Sequence, residues 1–239
     1  MNIAIVGSGN VAYHLYRALI PKAAVSLINS RSLHAFPENP DVVVLCVTDD
    51  AISEVASKIG FVNSILVHTS GAVSIDILAG HATATGVFYP LQTFSKNCSL
   101  NYSEIPIFLE ASSPEALLKL EKMASLFSNN IRKADSLTRK HLHLASVFAC
   151  NFTNAIIGIG ADILKKTDID FSVLIPLLKQ TINKIELMSP EEAQTGPAKR
   201  GDSTTMANHL ELLSESPELS TIYKALSNII QEKAKIKIQ

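Results

Sequence analysis

The residues best suited to chemistry stand at the start of the chain. Gly7, Ser8, Gly9, Asn10, Val11 and Ala12 form a G-x-G-x-x-A turn directly after the apolar run Ile3-Ala4-Ile5-Val6. The first glycine allows a tight turn and the second lets a pyrophosphate approach the backbone. Ala12 is small enough for close helix–strand packing. The free N–H groups at the start of the helix that follows suit phosphate oxygens. The same glycines also occur in plain turns, so their place between a strand and a helix carries the reading.

Cofactor choice is read at the end of the second strand. An NAD site often places an acid there, and an NADP site places Arg or hydroxyl groups. This chain has Asn29, Ser30, Arg31 and Ser32 and no acid. Arg31 can pair with a 2′-phosphate, which points to NADP; the other reading is an ordinary polar turn. Val47 and Thr48 end a later strand where a ribose or nicotinamide can lie, and Asp50 beside them is either a helix cap or a ligand contact. His68 and Ser70 end another strand and can face the nicotinamide. No G-x-S-x-G elbow accompanies Ser70, which argues against a hydrolase. Gln92 and Thr93 follow a further strand and can bind substrate, or Thr93 satisfies only a turn.

The second half adds four candidates. His143 and Asn151 share one side of a long apolar helix that also carries Lys140. Polar groups there need partners or a cleft. An imidazole titrates near neutrality, so His143 suits a general acid for carbonyl or imine reduction; a buried, hydrogen-bonded histidine is the alternative. His141 is expected to be exposed. Arg200 and Asp202 lie in a glycine-rich basic loop. Arg200 can clamp a carboxylate, while Asp202 either orients it or caps the helix containing His209. A solvated charged loop is the plain alternative.

The elements that must position these groups alternate between strand and helix over residues 1–134. Strands are expected over 3–6, 24–28, 41–47, 64–68, 86–89, 105–109 and 131–134, with helices over 11–20, 51–59 and 114–127. Thr48, Asp49 and Asp50 offer cap oxygens to the second of these helices. This order predicts an α/β fold with a doubly wound parallel sheet. Only about a dozen residues, including Pro37 and Pro40, separate the second strand from the third. A full crossover unit does not fit there, so the first half of the fold is abbreviated. Residues 135–239 read as all-α. The first helix of that region, 136–166, is apolar on nearly every face and would be more than about 40 Å long. That is too long to bury in one small domain, so a second copy of the chain is expected to cover it, with Gly158 and Gly160 weakening or kinking it. Further helices are expected over 172–188, from Ser189-Pro190-Glu191-Glu192, over 204–213, and from Pro217 to about 235.

Composition narrows the partners. Lys plus Arg is 21 and Asp plus Glu is 22, so no strong field points to nucleic acid or a membrane surface. Cys46, Cys98 and Cys150 form no C-x-x-C pair, and neither disulfides nor a metal site is expected. Cys46 and Cys150 read as small buried hydrophobes. The N-terminal strand is unlike a leader, and no run of about eighteen apolar residues is seen. A cytoplasmic protein without a membrane span is therefore expected.

Taken together, several of these segments resemble one family. Gly7 to Ala12, Asn29-Ser30-Arg31, His68-Thr69-Ser70-Gly71-Ala72, Pro90-Leu91-Gln92-Thr93-Phe94, His143 through Asn151, and Thr195-Gly196-Pro197 with Arg200-Gly201-Asp202 are similar to NADP oxidoreductases with a Rossmann-like N-terminal domain and a helical C-terminal domain of unknown function. Those proteins are related to pyrroline-5-carboxylate reductase and the 6-phosphogluconate dehydrogenase group. The resemblance implies a homodimer through the helical domain, with a cleft closing over the nicotinamide. Two departures stand out. Tyr89 occupies a position where many relatives carry His. Lys140 and Asn151 are not one turn apart, so the Lys/Asn pair of hydroxyacid dehydrogenases is not carried over. The expected activity is hydride transfer between NADPH and a small polar carbonyl, imine or hydroxy acid. A non-catalytic NADP-binding sensor or scaffold is the alternative.

Overall fold

A computed structural model describes residues 1–33 and 36–236. The strands are β1 (Asn2–Val6), β2 (Ala24–Ile28), β3 (Val42–Leu45), β4 (Val62–His68), β5 (Ala82–Pro90), β6 (Ile107–Ala111) and β7 (Ile131–Lys133). They form one sheet in the order β2-β1-β3-β4-β5-β6-β7. The helices beside them are α1 (Asn10–Leu19), α2 (Ile52–Ile59) and α3 (Pro114–Phe127).

Parallel strands covered on both faces must be apolar throughout. All four β3 residues are fully buried, as are Ala4, Ile5 and Val6 of β1. One face packs Ile3, Ile5, Val42 and Val44 against Leu15 and Leu19 of α1 and Leu120 of α3. The other packs Ala4, Val6, Val43 and Leu45 against Ile52, Val55 and Ala56 of α2. Each fully buried Val, Leu or Ile contributes about 1.5–3 kcal/mol.

The abbreviated first half takes a definite form. β1 pairs with β2 on one side and β3 on the other, and a single strand lies beyond β1. The chain therefore reverses its direction of travel across the sheet at β1/β3. Ligands of open α/β sheets bind outside the strand carboxyl ends at such a switch point. The glycine turn leaves β1 there: the Gly7 N–H donates to Ile28 O and the Cys46 N–H to Val6 O, each at 2.8 Å.

The sheet is not wholly parallel. β6 runs antiparallel to β5, and β7 is parallel to β6. Between β5 and β6 the chain forms only a 3₁₀ turn, Tyr102–Glu104, and no crossover helix, so the strand returns in the opposite sense. A second correction concerns α2. It is entered through a 3₁₀ turn, Asp49–Ala51, at which Thr48 makes no side-chain cap bond.

The remaining helices are α4 (Ser136–Ser146), α5 (Thr153–Leu164), α6 (Ile175–Leu187), α7 (Pro190–Ala193), α8 (Pro197–Arg200), α9 (Ser203–Leu212) and α10 (Pro217–Ile236). Their starts follow local chemistry. Asp135 Oδ1 accepts from the Thr138 N–H at 2.7 Å to begin α4. Ser189 and Glu192 complete a capping box at α7, and Asp202 caps α9. The basic loop is not a plain connection, because Pro197 opens the short helix α8 within it.

Two compact units are formed, Met1–Ile157 and Gly158–Gln239. The first runs beyond the change to helical structure at Ser136. Arg139 of α4 accounts for part of this, because its bonds go to β6 and to the turn after β4. In the second unit, His209 Nδ1 and the Tyr223 hydroxyl share a 2.9 Å hydrogen bond between α9 and α10.

The long apolar helix departs from expectation in some respects and meets it in one. Its irregularity is a π-helical stretch, Val147–Phe152, rather than a break at Gly158 or Gly160. As its length implied, much of it is uncovered within the chain beyond the buried Arg139: Phe148 is 63% exposed and Phe152 50%. Cys150, expected to be buried, is exposed for the same reason, whereas Cys46 is buried. By length and composition alone, Ser136–Leu164 is apolar enough to cross a membrane, where none was expected.

Candidate functional site

At the switch point lies a cavity of about 740 Å³. The glycine turn from Gly7 through Ser8, Gly9 and Asn10 to Val11 forms its floor, and Asn29, Ser30 and Arg31 line one end. Cys46, Val47, Thr48 and Thr69 come from the β3 and β4 tips, and Glu54, Val55 and Lys58 from α2. Thus the first unit gathers most of the residues read as cofactor-binding.

The turn has the shape that its sequence implies. Gly7 has φ +146°, and a Cβ there would lie 2.1 Å from Cys46 O. No residue with a side chain fits without moving β3. A Cβ at Gly9 would meet nothing within 4 Å, so space is open above the start of α1. That helix start has no side-chain cap and no acid in its first turn, which leaves its leading N–H groups for an anion. Ala12 is fully buried and packs α1 on the sheet rather than lining the cavity. At the tip of β2 the Arg31 N–H donates to Asn29 Oδ1 at 2.9 Å, which sets the local turn. The Arg31 side chain is exposed and has no carboxylate partner among the described residues. An open phosphate cradle and a free guanidinium at the ribose end fit an NADP-type dinucleotide.

Other candidates are placed differently. His68 is fully buried and does not line the cavity. Its Nδ1 accepts from the Ser70 N–H at 3.2 Å, which leaves Nε2 to donate to Ser74 O at 3.4 Å. Burial, and then the Arg139 charge, push its pKa down to about 4. It is a neutral strut at the β4 tip, buried and bonded through both ring nitrogens to the turn that follows. Ser70 is also buried, and its hydroxyl accepts from the Ala72 and Val73 N–H groups, each at 3.1 Å. The hydroxyl is engaged in folding the turn, which speaks against the catalytic reading. Cys46 is equally unreactive, since burial pushes its thiol up to about 12.

A second cluster forms where β5 ends. The Tyr89 hydroxyl lies 3.2 Å from His143 Nδ1, with ring centroids 6.1 Å apart. Burial raises the Tyr89 phenol above its usual range, so it stays protonated at neutral pH. Gly71 makes room for this ring, because a Cβ there would lie 2.6 Å from Tyr89 Cζ. Arg139 holds the same turn. Its NH1 donates to Ser70 O and Val73 O, each at 3.0 Å, and its NH2 donates to Glu110 Oε2 at 2.6 Å. Gln92 and Thr93, just beyond β5, are exposed, with Gln92 Oε1 accepting from the Thr93 N–H at 2.8 Å.

Asn151 is exposed and lies in the π-helical stretch, where the helical spacing that aligned it with His143 is broken. Arg200 and Asp202 belong to the second unit. Asp202 Oδ1 accepts from the Thr205 N–H at 3.0 Å, and this bond holds its carboxyl below the usual range. Arg200 is 3.7 Å from Asp202 and largely exposed. Among the described residues, no group of three His, Cys, Asp or Glu side chains could hold a metal.

Sequence reading missed Arg139, Glu54, Lys58 and Lys96. Glu110 gave one available signal, because an acid in the apolar strand Ile107-Phe108-Leu109-Glu110-Ala111 needs a cation nearby.

Fold and site define an α/β protein with a dinucleotide-type switch-point cavity and a helical C-terminal region. The chain belongs to the family described as Domain of unknown function (DUF2520), matched over residues 105–230. It is similar to the structure of BF3122 from Bacteroides fragilis, described as a putative NADP oxidoreductase, with 36% identity and a TM-score of 0.86 over 96% of this chain and 97% of that one. TM1727 from Thermotoga maritima matches at 24% identity and a TM-score of 0.76, over 99% and 100% of the two chains. A reductive aminase from Aspergillus terreus, in complex with NADPH and ethyl levulinate, shares the fold at 11% identity and a TM-score of 0.71, over 98% and 93%. Comparison with curated protein sequences gives no match.

Proposed function

We propose that this protein is an NADP-dependent oxidoreductase that reduces a small polar carbonyl or imine. The observation carrying this reading is the open space above Gly9 in a cavity that ends at the unpaired Arg31. The likeness to BF3122 supports it, and the fold shared with an NADPH-bound reductive aminase is consistent with it.

The Gly7–Val11 turn and the start of α1 would hold the pyrophosphate, Arg31 with Ser30 and Asn29 would hold the 2′-phosphate, and Val47 and Thr48 line the same cavity. NADPH, when bound, supplies the hydride. The protein supplies position and a proton. His143 is the proton donor in this reading. The protonated Tyr89 phenol donates to Nδ1 of the neutral imidazole, which places that ring's proton on Nε2. When the imidazole is charged, Nδ1–H donates to the Tyr89 oxygen instead, and Nε2–H delivers a proton to the carbonyl oxygen or imine nitrogen. Gln92 and Thr93 contact substrate near the end of β5. Arg200 of the second unit is suited by its fork of donors to clamping a carboxylate, and Asp202 caps α9 next to it. A second copy of the chain covers the apolar helix, making a homodimer.

The test is NADPH oxidation at 340 nm against ketones, ketones with amines, and preformed imines. Once a substrate is found, His143→Gln lowers kcat by about a hundredfold or more and leaves NADPH affinity within about twofold. NADPH binding without turnover on any of these classes supports the sensor reading instead.

A further inference from the structure

The connection from β5 to β6 crosses back over the glycine turn, and several bonds hold it there. Asn10 Nδ2 donates to Phe94 O at 2.8 Å. The ring of His14, itself only 1% exposed, donates from Nε2 to Ser95 O and shares a bond with the Tyr102 hydroxyl, both at 2.9 Å. The His14 and Phe94 rings also meet in a tilted contact, 5.2 Å between centroids. Residues 94–102 are thus fastened to the first half of α1.

This fastening brings one cation to the cofactor turn. Lys96 Nζ donates to Ser8 O at 3.1 Å and lies 5.8 Å from the centroid of the Tyr13 ring. Among the described residues it has no carboxylate partner. A lysine bonded to one carbonyl has two ammonium hydrogens left. Lys96 is not among the residues lining the cavity, but the Ser8 carbonyl that it holds is next to Gly9, above which space is open and the helix start offers N–H groups but no full charge.

We propose that Lys96 is a pyrophosphate ligand of this site, delivered by the β5–β6 connection. The inference rests on the dinucleotide reading given above and adds a charged group that the G-x-G-x-x-A motif does not contain. It also joins cofactor to substrate. Gln92 and Thr93 lie on the same connection, so a phosphate that fixes Lys96 also fixes the chain that presents them.

The test is equilibrium binding of NADPH, NADH and 2′-AMP to wild-type protein and to Lys96→Gln and Lys96→Arg variants, at low and moderate salt. NADPH and NADH share the pyrophosphate, and 2′-AMP lacks it. A charge-assisted bond to phosphate implies that Lys96→Gln weakens both dinucleotides about tenfold, with a smaller salt dependence, and leaves 2′-AMP within about twofold. Lys96→Arg retains most of the affinity. Unchanged dinucleotide affinities in Lys96→Gln overturn the proposal. Equal losses for 2′-AMP and NADPH also overturn it, since Lys96 then acts by shaping the turn. Wild-type protein that binds none of the three ligands overturns the dinucleotide reading itself, a result distinct from a Lys96 effect.

Discussion

His68 shows how burial can remove a residue from chemistry and give it a part in stability. Its folded pKa of about 4 lies below the ordinary 6.5 because the ring is buried and faces Arg139. Between those values the unfolded chain takes up a proton that the folded chain refuses. The neutral ring therefore favours folding fully above pH 6.5, and that contribution, about 3 kcal/mol, is lost as pH falls towards 4. Urea denaturation of wild type should lose stability more steeply over this window than His68→Gln does. Parallel curves would show that the ring titrates normally. The Gly7–Ala12 turn and Arg31 were legible in the sequence because their meaning depends on local spacing. Arg139 and Lys96 were not, because their partners stand 69 and 88 residues away. His68 lies buried outside the cavity lining, and a strand-tip position does not tell which way such a ring faces.

Among the elements, the joint between α4, β6 and the turn after β4 carries the most. Arg139 is fully buried, with Glu110 beside it and the Ser136 hydroxyl bonded to both. Removing one partner strands a charge, so Arg139→Met should lower unfolding free energy by about 3–5 kcal/mol. The pair Arg139→Met with Glu110→Met should lose less than the single change. A single-variant loss below about 1 kcal/mol would mean that the joint is not closed in solution. The joint also sets the turn bearing Gly71, against which Tyr89 packs, so it positions the Tyr89–His143 pair. Strand and helix order was legible because apolar runs and the caps at Ser189 and Asp202 are local signals. The reversal at β6 and the π-helical stretch were not. The first follows from the path of a long connection, and the second changes no residue type along the helix.

At the scale of the whole molecule, the uncovered apolar helix is the feature that one chain leaves unsatisfied. Phe148, Phe152 and Ile156 are all more than 40% exposed. Contiguous exposed apolar surface of this kind marks an interaction face. Sedimentation at micromolar concentration should give twice the 25.8 kDa chain mass, and Phe148→Asp with Phe152→Asp should give the single mass. A wild-type monomer would contradict the homodimer. A chain that stays in solution only with detergent would favour a membrane for the same helix.

The central claim is that the switch-point cavity is an NADP site read by Arg31. Fluorescence titration of wild type and Arg31→Ala with NADPH and NADH tests it most directly. The account predicts that wild type prefers NADPH and that Arg31→Ala weakens NADPH by about tenfold or more while NADH changes little, because only the 2′-phosphate loses its partner. Equal losses for the two nucleotides, or a wild type that prefers NADH, would contradict it.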